Sequence, residues 1–304
     1  MAGVEDCAEV RYTDEAGLPE ALRGADVAYA YEFRSTALPM AWHAADRLRW
    51  LHVAAAGVDA VLFPELVSSG VTVTNARGVF DEPIAEYVLG LILAFAKDFP
   101  GTWRLQQQRA WQHRDGESVV GRRVHVVGTG PIGRAIARLL TAVGMRVTGV
   151  GRRGRANDQD FGTVYRSTEL VNRLSEADYV VAAAPLTRQT RGMFDAAAFA
   201  AMSPGARFVN VGRGELVVTD DLVNALRAGE LTAAALDVCD PEPLPAENPL
   251  WTMRNVVVSP HMAGDAHGWR QRLADVFAAN FQRWRNGDPL RNVVDKQLGY
   301  VPFE

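Results

Sequence analysis

Residues 123–144, RVHVVGTGPIGRAIARLLTAVG, limit the possible folds more than any other segment of the chain. An apolar run is followed by the glycine pattern G-x-G-x-x-G and then by apolar residues that recur with helical spacing. Gly128 permits a tight turn, Gly130 lets the backbone approach a pyrophosphate, and Gly133 lets the helix pack on the strand. The helix N-terminus adds N–H groups and a positive dipole end. A glycine triplet alone fits an ordinary turn, but this strand–turn–helix context predicts a dinucleotide site with contacts from Gly128, Thr129, Gly130, Pro131, Ile132 and Gly133.

Apolar runs alternate with helix-period segments along most of the 304 residues, which is the pattern of a parallel α/β protein. The later part of the chain contains the six strand candidates that a doubly wound dinucleotide domain needs, at 123–127, 146–150, 179–183, 207–211, 233–238 and 256–259. We therefore predict two doubly wound, parallel-sheet α/β domains. A Rossmann dinucleotide-binding domain, residues 99–266, is inserted into a flavodoxin-like substrate domain formed by residues 1–98 and 267–304.

The composition excludes several functional classes. An apolar fraction of 48% and a charged fraction of 22% are typical of a soluble globular protein, and a net charge of −4 argues against a nucleic-acid partner. Cys7 and Cys239 are too few for a disulfide framework or a cysteine-rich metal site, and they fit a reducing cytoplasm. The N-terminal residues lack the apolar core of a signal peptide, and the apolar run at 87–96 is too short to cross a membrane. We expect a cytoplasmic protein with no metal and no membrane partner.

Polar residues follow three of the strand candidates, where ligands bind in open α/β sheets. The segments FVNVGRGELVV, ALDVCDPEPLP and VVSPHMAG bring Arg213, Glu242 and His261 to that edge, so the three side chains could meet in one cleft. Arginine grips a carboxylate with two hydrogen bonds, and histidine exchanges a proton near neutral pH. A glutamate beside the imidazole orients the ring and favours its protonated form. With a nicotinamide, this set can interconvert a 2-oxo acid and a 2-hydroxy acid.

Seven segments, in their order and spacing, resemble the D-isomer-specific 2-hydroxyacid dehydrogenase family. They are VAAAGVD (53–59), VTNARGVFDEPIAE (73–86), VVGTGPIG (126–133), APLTRQTRG (184–192), VNVGRGELV (209–217), ALDVCDPEPLP (235–245) and SPHMAG (259–264). Taken singly, Arg213 is a common kind of surface salt-bridge residue, Glu242 a solvated loop residue and His261 an ordinary histidine. Their joint match to the order of the motifs favours the catalytic interpretation.

The resemblance implies a role for each of these residues. Arg213 binds the substrate carboxylate and carbonyl, His261 is the general acid and base, and Glu242 pairs with it. Asp237 holds the nicotinamide carboxamide. The backbone amides of Ala56 and Gly57 bind the substrate carboxylate. Further cofactor contacts are expected from Pro185, Thr190, Val211, Gly212, Arg213, His261 and Gly264.

The resemblance leaves the substrate open. The family commonly continues after the histidine with small residues and a threonine, whereas this chain has GDAHGW at 264–269. Glyoxylate, hydroxypyruvate and larger 2-oxo acids all remain possible, while formate is disfavoured because formate dehydrogenases place Gln where this chain has Glu242. A homodimer joined through residues 100–114, with Trp103 and Trp111, is expected by analogy. The alternative function is a catalytically silent, dinucleotide-sensing protein that resembles a corepressor.

The cofactor preference depends on residues 147–155, VTGVGRRGR. A dinucleotide domain that binds NAD keeps an acidic residue about twenty positions after the glycine turn, where it holds the ribose 2′-hydroxyl. Aligned on the GM-x-V segment of the family that the chain resembles, which is matched here by residues 144–147, that position falls on Gly151, and Arg152 and Arg153 follow. A carboxylate would repel a 2′-phosphate, and arginines attract one. The alternative interpretation is that both arginines are merely solvated residues of a loop. The segment predicts a preference for NADP(H) over NAD(H).

Overall fold

The structure, a computed structural model, describes residues 2–32 and 36–302. The chain divides into two units, one of residues 1–80 and 267–304 and the other of residues 81–266. The first division falls earlier than the boundary near residue 98 that the sequence predicts. The reason is that the helix Asp81–Ala96 packs against the helix Pro131–Ala142 of the second unit. Its apolar pattern shows that the helix is buried but does not show which sheet covers it.

The first unit contains a parallel sheet and six helices within the described residues. Its strands are β1 (Val27–Ala30), β2 (Trp50–Val53) and β3 (Thr72–Asn75), paired in the order β1–β2–β3. Its helices are α1 (Ala2–Glu5), α2 (Leu18–Leu22), α3 (Ala37–Ala41), a 3₁₀ turn (Trp42–Ala44), α4 (Pro64–Ser68) and the long α11 (Trp269–Asn286). Strand β2 is buried throughout, as expected for a central parallel strand covered on both faces.

The second unit is built on an eight-stranded sheet. Its strands are β4 (Arg123–Val127), β5 (Arg146–Gly151), β6 (Arg155–Asp158), β7 (Gly162–Arg166), β8 (Tyr179–Ala182), β9 (Arg207–Asn210), β10 (Ala233–Leu236) and β11 (Val256–Val258). The order is β11–β10–β9–β8–β4–β5–β7–β6, and only β6 runs antiparallel to its neighbour. All six predicted strands are present. The order in which successive strands are added reverses between β4 and β8, which is the switch point of a Rossmann fold.

Helices cover this sheet and build its core. They are α5 (Asp81–Ala96), α6 (Phe99–Gln107), α7 (Pro131–Ala142), α8 (Leu170–Arg173) between two 3₁₀ turns (Ser167–Glu169 and Leu174–Glu176), α9 (Ala196–Ala200) and α10 (Thr219–Ala228), with further 3₁₀ turns at Gly214–Leu216 and Pro249–Trp251. A cluster of buried apolar residues fills one side, with Phe194 and Phe208 packed edge to face at 4.8 Å. Among the described helices, none combines the length and apolar character needed to cross a bilayer.

The hairpin β6–β7 was not among the predicted strands. Its residues are mostly exposed and polar, so it lacks the apolar alternation that marks a strand. Ion pairs hold it to the phosphate helix: Arg134 of α7 lies 2.9 Å from Asp158, and both side chains are nearly buried. Burial by itself raises the pKa of Asp158, but hydrogen bonds from Arg134, the Asp160 amide and Arg155 outweigh it and hold that pKa well below its ordinary range.

Candidate active site

Three neighbouring strands of the second unit carry the candidate catalytic residues. Strands β9, β10 and β11 are adjacent and parallel, so the loops that follow them emerge at the same edge of the sheet. Arg213 follows β9, Glu242 follows β10 and His261 follows β11. The structure therefore brings together the three loops that the sequence places far apart.

His261 and Glu242 are in direct contact. The imidazole Nδ1 lies 3.0 Å from Oε2 and 3.3 Å from Oε1 of the carboxylate. The two side chains are 29% and 26% exposed, which leaves the pair partly shielded but reachable by a small molecule. The Cys239 amide donates to Oε1 of Glu242 at 3.0 Å and so fixes the carboxylate. With Nδ1 directed at Glu242, proton exchange with a bound ligand falls to Nε2.

Asp237 fixes the turn that carries the histidine. Its carboxylate is buried, 3% exposed, and accepts the Ser259 hydroxyl at 2.7 Å and the amides of Met262 and Ala263 at 2.9 and 3.0 Å. Its backbone carbonyl accepts the His261 amide at 2.8 Å. His261 has a φ of +54°, a backbone conformation that non-glycine residues rarely adopt. The hydrogen bonds that Asp237 accepts from this turn hold the conformation, a role that sequence reasoning missed.

Arg213 lies on a loop that Asn210 stabilises. Asn210 is fully buried at the end of β9, donates to the Arg213 carbonyl at 2.8 Å and accepts the Gly212 amide at 3.1 Å. The guanidinium Nη1 donates to the Gly212 carbonyl at 2.8 Å. A Cβ added to Gly214 would overlap the carbonyl of Cys239, so the loop of Arg213 touches the loop of Cys239 and Glu242 there. Sequence reasoning missed Asn210, although a buried amide at the last position of an apolar strand is a usable signal.

The loop of Cys239 also holds a thiol. Burial, with smaller contributions from the carboxylates of Glu242 and Asp237, raises the pKa of Cys239 to about 11. The thiol is therefore protonated at neutral pH and is not a nucleophile. Cys239 is partly buried and packs against the apolar cluster of the second unit.

The glycine turn has the shape that a pyrophosphate needs. Gly128 has a φ of +113°, and a Cβ there would lie 2.5 Å from the Ala183 carbonyl. A Cβ at Gly133 would overlap the carbonyl oxygen of Gly128, so α7 and β4 approach as closely as backbones can. By contrast, a Cβ at Gly130 would stand in open space at the start of α7, where the first amides have no acceptor within the helix. The turn fits a dinucleotide phosphate, which would fill that space.

The other predicted cofactor residues lie along the same edge. The Thr190 hydroxyl donates to the Pro185 carbonyl at 2.7 Å and closes the loop after β8. A Cβ at Gly212 would lie 2.9 Å from the Ala184 carbonyl, so this loop touches the segment of Val211 and Gly212. Gly264 lies in the turn beyond His261, where its carbonyl accepts the Ala266 amide at 3.0 Å.

Gly151 ends strand β5 beside the phosphate turn. A Cβ at this position would lie 2.7 Å from Oγ1 and 3.2 Å from Cγ2 of Thr129, so the glycine makes room for the threonine. Arg152 and Arg153 follow directly and are exposed. The last residue of β5 is thus a glycine and not an acidic residue, and two exposed arginines follow it.

Ala56 and Gly57 belong to the first unit, in the loop that follows β2. Asn75, the last residue of β3, donates its amide to the Ala56 carbonyl and accepts the Arg77 amide at 3.2 Å. Among the described residues, no acceptor lies against the half-buried amides of Ala56 and Gly57. Two such amides in succession can bind a carboxylate. Sequence reasoning missed the support that Asn75 gives.

Known proteins match both the sequence and the fold. A family model described as the NAD binding domain of D-isomer specific 2-hydroxyacid dehydrogenases matches residues 89–263. Glyoxylate reductase from Thermococcus kodakarensis is 33% identical over 266 residues, which cover 84% of this chain and 79% of that protein. The NADPH-dependent glyoxylate/hydroxypyruvate reductase from Sinorhizobium meliloti, in complex with NADP and sulfate, superposes with a TM-score of 0.85 at 30% identity and covers 98% of this chain and 95% of that chain. A D-isomer specific 2-hydroxyacid dehydrogenase from Xanthobacter autotrophicus, in complex with NADPH and MES, gives a TM-score of 0.80 at 32% identity over 95% of this chain and 87% of that chain.

The chain belongs to the D-isomer specific 2-hydroxyacid dehydrogenase family. The protein is an NAD(P)-dependent D-2-hydroxyacid dehydrogenase with a Rossmann-type nucleotide-binding domain. The predicted family and fold class are confirmed. These relatives give no support to the corepressor-like alternative.

Proposed function

We propose that the enzyme reduces a 2-oxo acid to a D-2-hydroxy acid and that His261 is the general acid. The observation that supports this proposal most directly is the 3.0 Å contact between His261 Nδ1 and Glu242 Oε2. It lies at the edge of the sheet from which the Arg213 loop also emerges. The carboxylate orients the ring and stabilises its protonated form, so Nε2 gives a proton to the developing alkoxide. Bound NADPH supplies the hydride that reaches the carbonyl carbon.

Substrate binding falls to Arg213 and to the amides of Ala56 and Gly57. The guanidinium pairs with the substrate carboxylate and polarises the adjacent carbonyl, since an arginine fork matches the geometry of a carboxylate. The amides of Ala56 and Gly57 also bind a carboxylate, which is supported by their lack of an acceptor among the described residues. Glyoxylate and hydroxypyruvate are the first candidates, because relatives of 30–33% identity are named as reductases of these acids.

The cofactor is NADP(H) in preference to NAD(H). Gly151 removes the carboxylate that would repel a 2′-phosphate, and Arg152 and Arg153 are exposed beside it. Two relatives have been crystallised with NADP or NADPH. The remaining contacts come from the glycine turn and from Pro185, Thr190, Val211, Gly212, Asp237 and Gly264.

The enzyme acts as a cytoplasmic homodimer. Helix α6 and the segment after it expose Phe99, Trp103 and Trp111, and the side chain of Trp111 is fully exposed in the single chain. Aromatic side chains are enriched in the buried centres of protein interfaces, so a second copy of the chain would cover these rings. Both cysteines are free, which fits a reducing compartment.

The direct test is a panel of 2-oxo acids assayed with NADPH and NADH side by side. We expect turnover of glyoxylate or hydroxypyruvate, with the higher kcat/KM for NADPH. His261→Ala should lose about 10²- to 10⁴-fold in kcat, the usual contribution of a general acid, while binding NADPH almost normally. His43→Ala removes an exposed histidine of the first unit and serves as the control. Comparable kcat in His261→Ala and the wild type would contradict the assigned role.

A further inference from the structure

We infer that Arg166 is a third cationic ligand of the 2′-phosphate of NADP(H). It lies outside the arginine loop, residues 152–154, to which the sequence motif assigns this role. This inference rests on the proposed preference for NADP(H). It assigns a binding role to the hairpin β6–β7, which sequence reasoning did not identify and which no step of the reaction uses.

Arg166 lies at the same sheet edge as Gly151. Strands β5 and β7 are parallel neighbours, and Gly151 and Arg166 are register partners at their carboxyl ends. Partners on adjacent strands lie about 5 Å apart. The position where a ribose-binding acid stands in an NAD enzyme therefore adjoins Arg166 across the sheet.

The side chain of Arg166 leaves the sheet on the face of the phosphate turn. Register partners on parallel strands project to the same face, and successive residues alternate. A Cβ at Gly151 would lie 2.7 Å from Thr129 of the turn, which identifies that face. Tyr165 projects to the opposite face, where its ring packs against the core beneath the sheet and stacks with Arg173 at 4.4 Å. Arg166 consequently points toward the adenosine end of the cofactor site.

The arginine loop folds over the stem of Arg166. A Cβ at Gly154 would lie 3.2 Å from Cγ of Arg166, so the loop backbone covers the aliphatic part of the side chain while the residue as a whole is exposed. An arginine whose stem is packed and whose guanidinium is solvated loses less conformational entropy when it binds an anion. The loop and Arg166 form one cationic surface.

The neighbouring arginines of the hairpin and helix are paired with carboxylates, but Arg166 is not. Arg134 pairs with Asp158 and Asp160, and Arg155 lies 3.0 Å from Asp158. Across residues 2–32 and 36–302, no carboxylate comes within ion-pair distance of the Arg166 guanidinium. A phosphate carrying nearly two negative charges at pH 7 suits a cation such as Arg166 that has no carboxylate partner in those ranges. The charge of Arg155 is instead largely neutralised by its partner.

The test compares Arg166→Ala with Arg155→Ala, which removes the same charge from the same hairpin. Dissociation constants for NADPH, NADH and 2′,5′-ADP are measured by fluorescence or calorimetric titration at fixed salt. Because Arg166→Ala removes a charge-assisted contact with the phosphate, we expect the dissociation constants of NADPH and 2′,5′-ADP to rise about tenfold or more. The dissociation constant of NADH should change less than about twofold. Arg166→Lys should recover part of the loss, and Arg155→Ala should weaken NADPH less than Arg166→Ala.

Three results from the variants would overturn the inference. Equal weakening of NADPH and NADH in Arg166→Ala would show a structural role. Equal losses in Arg166→Ala and Arg155→Ala would show a diffuse charge effect, and unchanged NADPH affinity would show no contact. The proposed function fails separately, when the wild type reduces no 2-oxo acid with either cofactor. A wild type that binds NADPH no better than NADH would overturn the cofactor preference and the role of Arg166 together.

Discussion

Asp237 and His261 are connected through both backbone and side chain. The His261 amide donates to the Asp237 carbonyl at 2.8 Å, and the Asp237 carboxylate accepts the amides of the two residues that follow the histidine. The backbone at His261 takes a φ of +54°, and its imidazole contacts Glu242. Such a conformation persists only where surrounding bonds determine it. A carboxylate that does not touch the imidazole thus sets its position.

Asp237→Asn should separate this anchoring role from the contact with the nicotinamide that the family resemblance implies. The amide keeps one acceptor oxygen, so at least one buried donor of the turn loses its partner. We expect the free energy of unfolding to fall by about 1–3 kcal/mol and kcat to fall with it. Urea denaturation and steady-state kinetics measure both. Asp240→Asn, an exposed residue on the same loop, is the control. Weaker cofactor binding with unchanged stability would favour the nicotinamide role alone.

Gly130→Ala and Gly133→Ala should fail in different ways. Gly130 has a φ of −77°, which alanine adopts, and its Cβ would meet nothing within 4 Å. We expect unchanged or slightly higher stability, by about 0.4–1 kcal/mol, but a markedly larger dissociation constant for NADPH because the methyl group occupies the space of the pyrophosphate. Gly133→Ala overlaps the Gly128 carbonyl and should cost about 1–3 kcal/mol of stability. Thermal unfolding and titration distinguish the two. Normal NADPH binding by Gly130→Ala would place the pyrophosphate elsewhere.

A switch of cofactor should require two substitutions. Gly151→Asp restores a carboxylate that repels the 2′-phosphate, so NADPH affinity should fall about tenfold or more. The new Cβ would crowd both branches of Thr129, at 2.7 and 3.2 Å, and the threonine cannot rotate both away. NADH affinity should therefore rise only in Gly151→Asp combined with Thr129→Ala. Thr129→Ala alone serves as the control and should keep its preference. Tight NADPH binding by the single Asp variant would contradict the assignment of this position.

The sequence predicts best those parts of the molecule where one physical requirement acts locally. The six Rossmann strands are apolar runs, and the glycine turn combines a strand, a tight turn and a helix within 22 residues. The hairpin β6–β7 could not be predicted, because its stability comes from ion pairs with Arg134, which lies more than twenty residues away in the chain. The membership of α5 in the second unit has the same cause, since it depends on packing against α7.

The candidate site shows the same division between local and distant signals. Arg213, Glu242 and His261 stand in motifs that identify them. Asn210 and Asp237 act by holding backbone groups, and the chemistry of a side chain does not reveal which backbone it will hold. Sequence reasoning therefore names candidate groups for substrate contact but misses the backbone-holding roles of Asn210 and Asp237.

The buried His52 should make the protein sensitive to mild acid. Its side chain is fully buried on β2, its Nδ1 contacts the Thr74 hydroxyl at 2.7 Å, and within the described structure Nε2 has no partner. Burial lowers the pKa of His52 from its ordinary 6.5 to about 4. Between these values the unfolded chain binds a proton that the folded chain does not, so stability is complete above pH 6.5 and declines as the pH falls toward 4. A difference of that size corresponds to about 3 kcal/mol.

His52→Gln should lose this part of the pH dependence, measured by urea unfolding from pH 7 to 4. His43→Gln, which changes an exposed histidine, should keep the slope of the wild type, and an unchanged slope in His52→Gln would show that other groups cause the decline.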